Sequence, residues 1–131
     1  MRPSASPAFL ALILAQAAHS VEEYAFRLYD VLLPARYVSG LFGLERQTGF
    51  VLVNAALVLF GLWCWVARIR PGHRGARRLA ALWVALELAN GGAHVALAII
   101  AGGYFPGLAT APLLLGLAAW LALALRAPPR R

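Results

Sequence analysis

Three ionisable side chains interrupt the first apolar stretch of the sequence. The segment "HSVEE" places Glu22 and Glu23 three and four residues after His19, so on a helix all three side chains share one face. Imidazoles and carboxylates in this arrangement can exchange protons with a substrate or bind a first-row metal ion. A lone charge at the centre of a bilayer costs at least ~2.5–3.5 kcal/mol, so these groups need partners elsewhere in the chain.

A second polar stripe in another apolar stretch could supply those partners. Glu87, Asn90 and His94 follow one another at i, i+3 and i+7 and therefore share a helix face. In a third apolar stretch, Asn54 is the one strongly polar residue. At ~1.5 Å of rise per residue, these polar residues of three helices fall roughly 12–24 Å from the same end of a bundle. We therefore expect them to lie in one layer.

The composition indicates that lipid is the solvent for most of this chain. Of its 131 residues, 62% are hydrophobic and 13% charged, whereas soluble domains have about 25% charged residues. Its mean hydropathy is +0.72. Four apolar stretches approach the ~20 residues of a membrane span, and spans of this kind are helices because lipid offers the backbone no hydrogen bonds. The prediction is a polytopic all-α membrane protein, with one four-helix transmembrane domain over residues 1–131 and helices at about 7–29, 47–68, 79–104 and 108–125.

The distribution of arginine predicts the orientation. The net charge of +7 is carried by arginine without lysine, and the arginines flank apolar stretches. We therefore expect the lipid bilayer as a partner and not nucleic acid, the other frequent partner of basic proteins. By the positive-inside rule, both termini face the cytoplasm. The arginines on that side are Arg2, Arg68, Arg70, Arg74, Arg77, Arg78, Arg126, Arg130 and Arg131.

The N-terminus permits a second interpretation. Residues 1–17 resemble a weak signal peptide, with Ala15-Gln16-Ala17 as its cleavage site. Cleavage there would leave three helices.

The matching stripes favour a buried polar centre, although ordinary structural roles stay open. The glutamates of "HSVEE" could lie among lipid head groups, and the second stripe could serve as interhelical hydrogen bonds. If the two stripes form a buried centre, the candidate catalytic residues are His19, Glu22, Glu23, Glu87 and His94. The candidate substrate-binding residues are Asn54, Asn90 and Trp83.

Three segments give the chain a family resemblance. "HSVEE" fits H-x-x-E-E, "NGGAH" (90–94) fits N-x-x-x-H, and "YFPGLAT" (104–110) follows. With four spans, the chain resembles the HXXEE family of small bacterial membrane proteins. The resemblance implies a multi-pass protein of the bacterial inner (plasma) membrane in which the motif residues matter, and it implies no particular activity. A looser likeness is to the emopamil-binding and sterol-isomerase group, which uses His, Glu and Asn within the bilayer to move protons on sterols.

Three functions are consistent with these residues, beside the role of a structural or partner-binding subunit. The first is an enzyme that performs acid–base chemistry, such as isomerisation, cyclisation or hydration, on a lipophilic small molecule. The second is a metal-binding membrane protein, enzymatic or not, in which His19, Glu23 and His94 hold zinc or iron. The third is a subunit of a proton or ion transporter, which would require a homodimer because four helices form a thin conduit.

Overall fold

The chain folds into helices joined by short connections. A computed structural model describes residues 4–41 and 43–126, and every regular element within those ranges is helical. This confirms the all-α prediction. The elements are α1 (Ala5–Ala25), α2 (Leu28–Val31), α3 (Leu33–Gly40), α4 (Arg46–Cys64), a π-helical turn (Trp65–Ile69), α5 (Ala76–Ala101) and α6 (Ala111–Arg126).

The first helix ends earlier than the expected residue 29. Arg27 adopts the left-handed conformation, with φ of 57°, so the chain turns there and α2 begins at the next residue. The Arg27 guanidinium binds the Asp30 carboxylate at 2.7 Å. This ion pair secures the turn that separates α1 from α2.

An additional helix, α3, lies in the connection between the first two predicted helices, at about 7–29 and 47–68. Pro34 is its second residue and Gly40 its last. Proline is tolerated in the first turn of a helix because the amides there have no intrahelical acceptor. Helix α3 packs tightly on α4, since a Cβ at Gly49 would lie 1.8 Å from the carbonyl oxygen of Ser39.

The remaining long helices lie within three residues of their expected positions. Helix α4 continues through the π-helical turn, α5 runs between left-handed glycines at 75 and 102, and α6 starts at Ala111. The expected helix start at residue 108 falls instead in the turn formed by residues 102–110.

An apolar core fills the end of the bundle next to the 68–78 turn. Helix α1 packs against α4 and α6, and α5 packs against α6. The indole of Trp65 donates to Ser6 Oγ at 3.1 Å, which ties the start of α1 to the π-helical turn. The buried residues of this core include Phe9, Leu12, Ile13, Ala80, Trp83, Ala118 and Leu121.

The outer surface of the bundle is also apolar. Large side chains such as Leu59, Ile100 and Leu123 point outward with exposed fractions of 65%, 81% and 65%. Two segments, Arg46–Ile69 and Ala76–Ala101, are long and apolar enough to cross a membrane, with mean hydropathies of 2.2 and 1.6; Ala111–Arg126 is apolar but shorter. Three arginines used to predict the orientation, at positions 2, 130 and 131, lie outside the described residues.

Candidate functional site

A buried centre forms where α1 meets α5. Glu23 Oε1 lies 3.4 Å from His19 Nε2 and 3.0 Å from His94 Nε2. The two imidazole rings meet edge to face, with centroids 4.7 Å apart. Each of the three residues is at most 5% exposed, and one ligand atom from each lies within 4.8 Å of the others. The structure thus brings together residues from both predicted stripes.

The Nδ1 atom of each imidazole has a hydrogen-bond partner outside the group formed by His19, Glu23 and His94. Thr110 donates its hydroxyl hydrogen to a carboxylate oxygen of Glu22, so its Oγ1 accepts from His19 Nδ1, 2.6 Å away. His94 Nδ1 donates to the carbonyl oxygen of Pro106 at 2.6 Å. With hydrogen on both Nδ1 atoms, a neutral ring carries its lone pair on Nε2, the atom that faces Glu23.

Glu22 makes different contacts from the adjacent Glu23. Its carboxylate accepts hydrogen bonds from the backbone amides of Ala109 and Thr110 at 2.9 and 2.8 Å, and from the hydroxyl of Tyr104. It therefore caps the start of α6 from a different helix, where a negative charge is favourable. Burial and the hydrogen bond to this carboxylate raise the pKa of Tyr104 to about 12. Among the described residues, Glu22 is linked to the centre through Thr110 and His19.

The 102–110 turn covers the centre, and Gly107 allows it to do so. A Cβ at Gly107 would lie 2.5 Å from His94 Nδ1 and 2.8 Å from His19 Cε1. The residue also has φ of +93°, a conformation that favours glycine. Pro106, Gly107 and Thr110 were not predicted as site residues. The sequence feature that could have identified them is their position in "YFPGLAT", the third segment of the family resemblance.

Glu87 is buried without a hydrogen-bond partner. Its side chain is fully enclosed, and neither carboxylate oxygen makes a hydrogen bond of ordinary geometry within the described residues, although the Asn90 side chain lies close to it. Asn90, one turn further along α5, donates instead to Gln16 Oε1 at 3.3 Å. A buried polar group without a hydrogen bond destabilises the folded state, so the burial of Glu87 needs a further explanation.

The predicted asparagines belong to a hydrogen-bonded chain across three helices. From Asn90 the chain passes to Gln16, whose Nε2 donates to Ser20 Oγ at 3.1 Å. Ser20 donates to Asn54 Oδ1 at 2.8 Å, and Asn54 Nδ2 donates to the carbonyl oxygen of Phe50 at 3.0 Å. The chain links α5 to α1 and α4. Gln16 and Ser20 were not among the predicted site residues.

A cavity of about 350 Å³ lies beside this chain, between α4 and α5. Glu23 and the amides of Gln16, Asn54 and Asn90 form its polar end, and α3 covers one side. Trp83 is absent from its lining and packs in the apolar core against Phe9, with ring centroids 6.0 Å apart. The apolar walls of the cavity are formed by Leu28, Pro34, Ala35, Val38, Phe50, Val53, Leu57 and Leu86.

Comparisons with known proteins place the chain in one family. Searches of the curated proteins and of the solved structures found no significant match. A family model described as "Protein of unknown function with HXXEE motif" matches residues 10–121. Its motif corresponds to His19, Glu22 and Glu23, the residues that form the centre and cap α6. The chain therefore belongs to the HXXEE family.

Proposed function

We propose that the protein is a multi-pass protein of the bacterial inner membrane whose four long helices, α1, α4, α5 and α6, cross the bilayer. Two of them have the required length and hydropathy, and the bundle carries large apolar side chains on its outer surface. Its ionisable groups at membrane depth face inward, as expected for polar residues in lipid. The basic 68–78 turn lies on the cytoplasmic side together with both termini.

Within this bundle, we propose an enzyme that performs acid–base chemistry on a lipophilic small molecule. The observation that carries this proposal is the cavity, which has mostly apolar walls and the Glu23 carboxylate at its polar end. Binding sites for small molecules combine an apolar enclosure with a few convergent polar groups. Helices α4 and α5 approach each other mainly at the π-helical end, so a lipophilic substrate can enter between them from the bilayer.

Glu23 is the proposed catalytic group in this cavity. It lies between two imidazoles and lines the cavity, where its carboxylate can exchange a proton with a substrate. Asn54 and Asn90 line the same cavity, where their amides can orient a substrate oxygen. Isomerisation, cyclisation and hydration all require a proton to be taken up and returned, which this arrangement supports.

The apolar core argues against the alternative of a proton or ion transporter subunit. Below the centre, toward the 68–78 turn, the described interior is packed with side chains such as Phe9, Leu12 and Leu121. An ion path needs polar groups or water along its whole length. The described part of a single chain offers such groups only at one end, so we favour an enzyme over a conduit.

The enzyme proposal is tested by a search for a changed compound. Purified protein in lipid nanodiscs is incubated with a lipid extract of the source cells and analysed by untargeted mass spectrometry. Isomerisation or cyclisation shifts a compound's retention without changing its mass, and hydration adds one water. We expect the wild-type protein to convert at least one lipophilic compound and Glu23→Gln to abolish the conversion.

A matched control separates loss of the site from loss of charge. Glu45 is exposed at the start of α4, so Glu45→Gln should leave the conversion intact. A conversion that survives Glu23→Gln, or the absence of any converted compound, would contradict the proposal.

A further inference from the structure

We propose that His19, Glu23 and His94 bind one divalent first-row transition metal ion, Zn²⁺ or Fe²⁺, through the two Nε2 atoms and the Glu23 carboxylate. This inference goes beyond the proposed acid–base enzyme and does not depend on the identity of its substrate. Two imidazoles and one carboxylate are a ligand set that suits these ions. Three protein ligands with one open position are typical of catalytic metal sites.

The distances between the ligand atoms fit one ion. Ligands held ~2.0–2.1 Å from a tetrahedral zinc ion are themselves roughly 3.3 Å apart. Glu23 Oε1 lies 3.4 and 3.0 Å from the two Nε2 atoms, and the three ligand atoms all lie within 4.8 Å of one another. Two of the three separations match that value, so one ion can contact all three side chains after small shifts of the imidazoles.

The hydrogen-bond donors and acceptors also favour a cation. Each Nδ1 faces an acceptor, on Thr110 or Pro106, so in a neutral ring the lone pair is on Nε2. Two lone pairs and a carboxylate oxygen then face one another inside the bundle. His19 Nε2 is buried and has no hydrogen-bond partner. A metal ion between these atoms turns a repulsive arrangement into three bonds.

The outer contacts are those that metal-binding histidines generally have. Such a histidine donates its second ring N–H to a carbonyl or, often, toward a carboxylate, and this fixes the orientation of the ring. His94 donates to the Pro106 carbonyl, and His19 donates to Thr110, which in turn donates to Glu22. Glu22 and Thr110 are thus positioning residues for His19.

Glu87 supplies an independent observation. Its carboxylate is fully buried in α5, and neither oxygen makes a hydrogen bond of ordinary geometry within the described residues. A buried carboxylate is stabilised by a nearby positive charge. A divalent cation held by Glu23 and two neutral imidazoles would add positive charge to the interior that also contains Glu87.

The direct test measures metal in the purified protein. The chain is purified in detergent without a histidine tag, and its metal content is determined by mass spectrometry. We expect about one zinc or iron ion per chain, as for other three-ligand sites. His19→Ala, His94→Ala and Glu23→Gln should each reduce this at least roughly tenfold, by analogy with losses seen around such sites. The matched control is His73→Ala, since this histidine is exposed in the basic turn and should have no effect.

Two further readouts keep the test valid if a variant folds poorly. Metal-depleted wild-type protein loaded with Co²⁺ should show the visible absorption of a tetrahedral site, and Glu23→Gln should not. Added Zn²⁺ should raise the Tm of the wild type and of His73→Ala, because a ligand that binds only the folded state stabilises it. Thr110→Val keeps all three ligands and should weaken Zn²⁺ binding about 10–100-fold.

The proposal is overturned if the wild type contains no metal and takes up neither Zn²⁺ nor Co²⁺ on dialysis. It is equally overturned if uptake is unchanged in both His19→Ala and Glu23→Gln. In either case these three side chains do not hold the ion. Failure of this proposal is distinguishable from failure of the enzyme proposal, because metal content is measured without substrate and compound conversion can be assayed in metal-depleted protein.

Discussion

The two ends of the helical bundle differ in what holds them together. Near the 68–78 turn, α1 and α5 contribute apolar residues such as Phe9, Leu12 and Trp83 to a closely packed core. Under the 102–110 turn, the same two helices contribute imidazoles, carboxylates and amides. Along these two helices, the interior side chains thus change from apolar to ionisable and hydrogen-bonding within about two turns.

The contrast indicates a division of labour along the bundle. In the proposed membrane bundle, helices associate through van der Waals packing, which small residues at the interface improve. Fully buried Ala8, Ala80 and Ala118 supply such positions in the apolar end. Interhelical hydrogen bonds contribute little on average to the stability of membrane proteins. We therefore expect the apolar end to provide most of the stability and the polar end to provide the function.

The largest expected effect is a loss of stability from the apolar end. Leu121 on α6 is fully buried, and its replacement by alanine leaves a cavity, so Leu121→Ala should lower the free energy of unfolding by ~2–5 kcal/mol. Unfolding by denaturing detergent in mixed micelles measures the change. Metal content per folded chain should stay at the wild-type value, since the centre lies at the other end.

A matched leucine on the same helix provides the control. Leu123 is 65% exposed on the outer surface, so Leu123→Ala should have little effect. If the two variants lose equal stability, the apolar end is not the source of stability that we describe.

The second effect concerns the cover of the polar end. Gly107→Ala should lower the free energy of unfolding by ~1–3 kcal/mol because alanine is strained at positive φ. Its methyl group would also displace both imidazoles, which approach that position within 2.8 Å. We expect this variant, unlike Leu121→Ala, to lose metal binding and compound conversion together.

Gly103 in the same turn is the control for this change. A Cβ there meets nothing within 4 Å, so Gly103→Ala should retain the site. Retained metal binding in Gly107→Ala would show that the turn does not press on the imidazoles.

The polar end also shows which features the sequence could reveal. Helical spacing correctly predicted that His19 and Glu23 share a face, and that His94 belongs to a stripe that can meet them. Periodicity could not reveal Thr110 or Gly107, because a turn has no repeating pattern and its contacts are made with residues distant in sequence. Glu22 shares the motif and the helix with Glu23, yet it caps α6, a role that depends on where the 102–110 turn folds.

Helix boundaries were predictable where local residues determine them. Gly102 ends α5 in the left-handed conformation, three residues before the predicted end. Helix α3 is not among the predicted helices because proline and glycine, here Pro34 and Gly40, are typical of loops. In the structure the proline lies in the first turn of the helix and the glycine at its end, positions where both residues are common.

A smaller effect is expected from the hydrogen-bonded chain between helices. Ser20 and Asn54 are joined at 2.8 Å. If the helices cross a membrane as proposed, such bonds couple by about 0.6 kcal/mol on average, with a maximum near 1.7. A double-mutant cycle with Ser20→Ala and Asn54→Ala measures this coupling by detergent unfolding. A value well above that range would show that the polar end contributes stability as well as function.

The smallest effect is a pH dependence at the surface of the polar end. The pKa of Tyr104 is raised from 10.0 to about 12 by burial and by its hydrogen bond to Glu22. Because the folded-state pKa is the higher one, this contact stabilises the fold fully below pH 10, and its contribution is lost as pH rises toward 12. Tyr104 is about half exposed, so solvent screening keeps the contribution small.

Detergent unfolding between pH 9 and pH 12 tests this expectation. In Tyr104→Phe, stability should fall less steeply over that interval than in the wild type, since the variant has no phenol to ionise beside Glu22. Tyr37 is 73% exposed on α3, so Tyr37→Phe should retain the wild-type slope. Equal slopes in Tyr104→Phe and the wild type would show that Glu22 holds α6 through the backbone amides of Ala109 and Thr110 without help from the phenol. The cap would then be a contact between the Glu22 side chain of α1 and the backbone at the start of α6. The 102–110 turn would depend on that contact for its position over the two imidazoles.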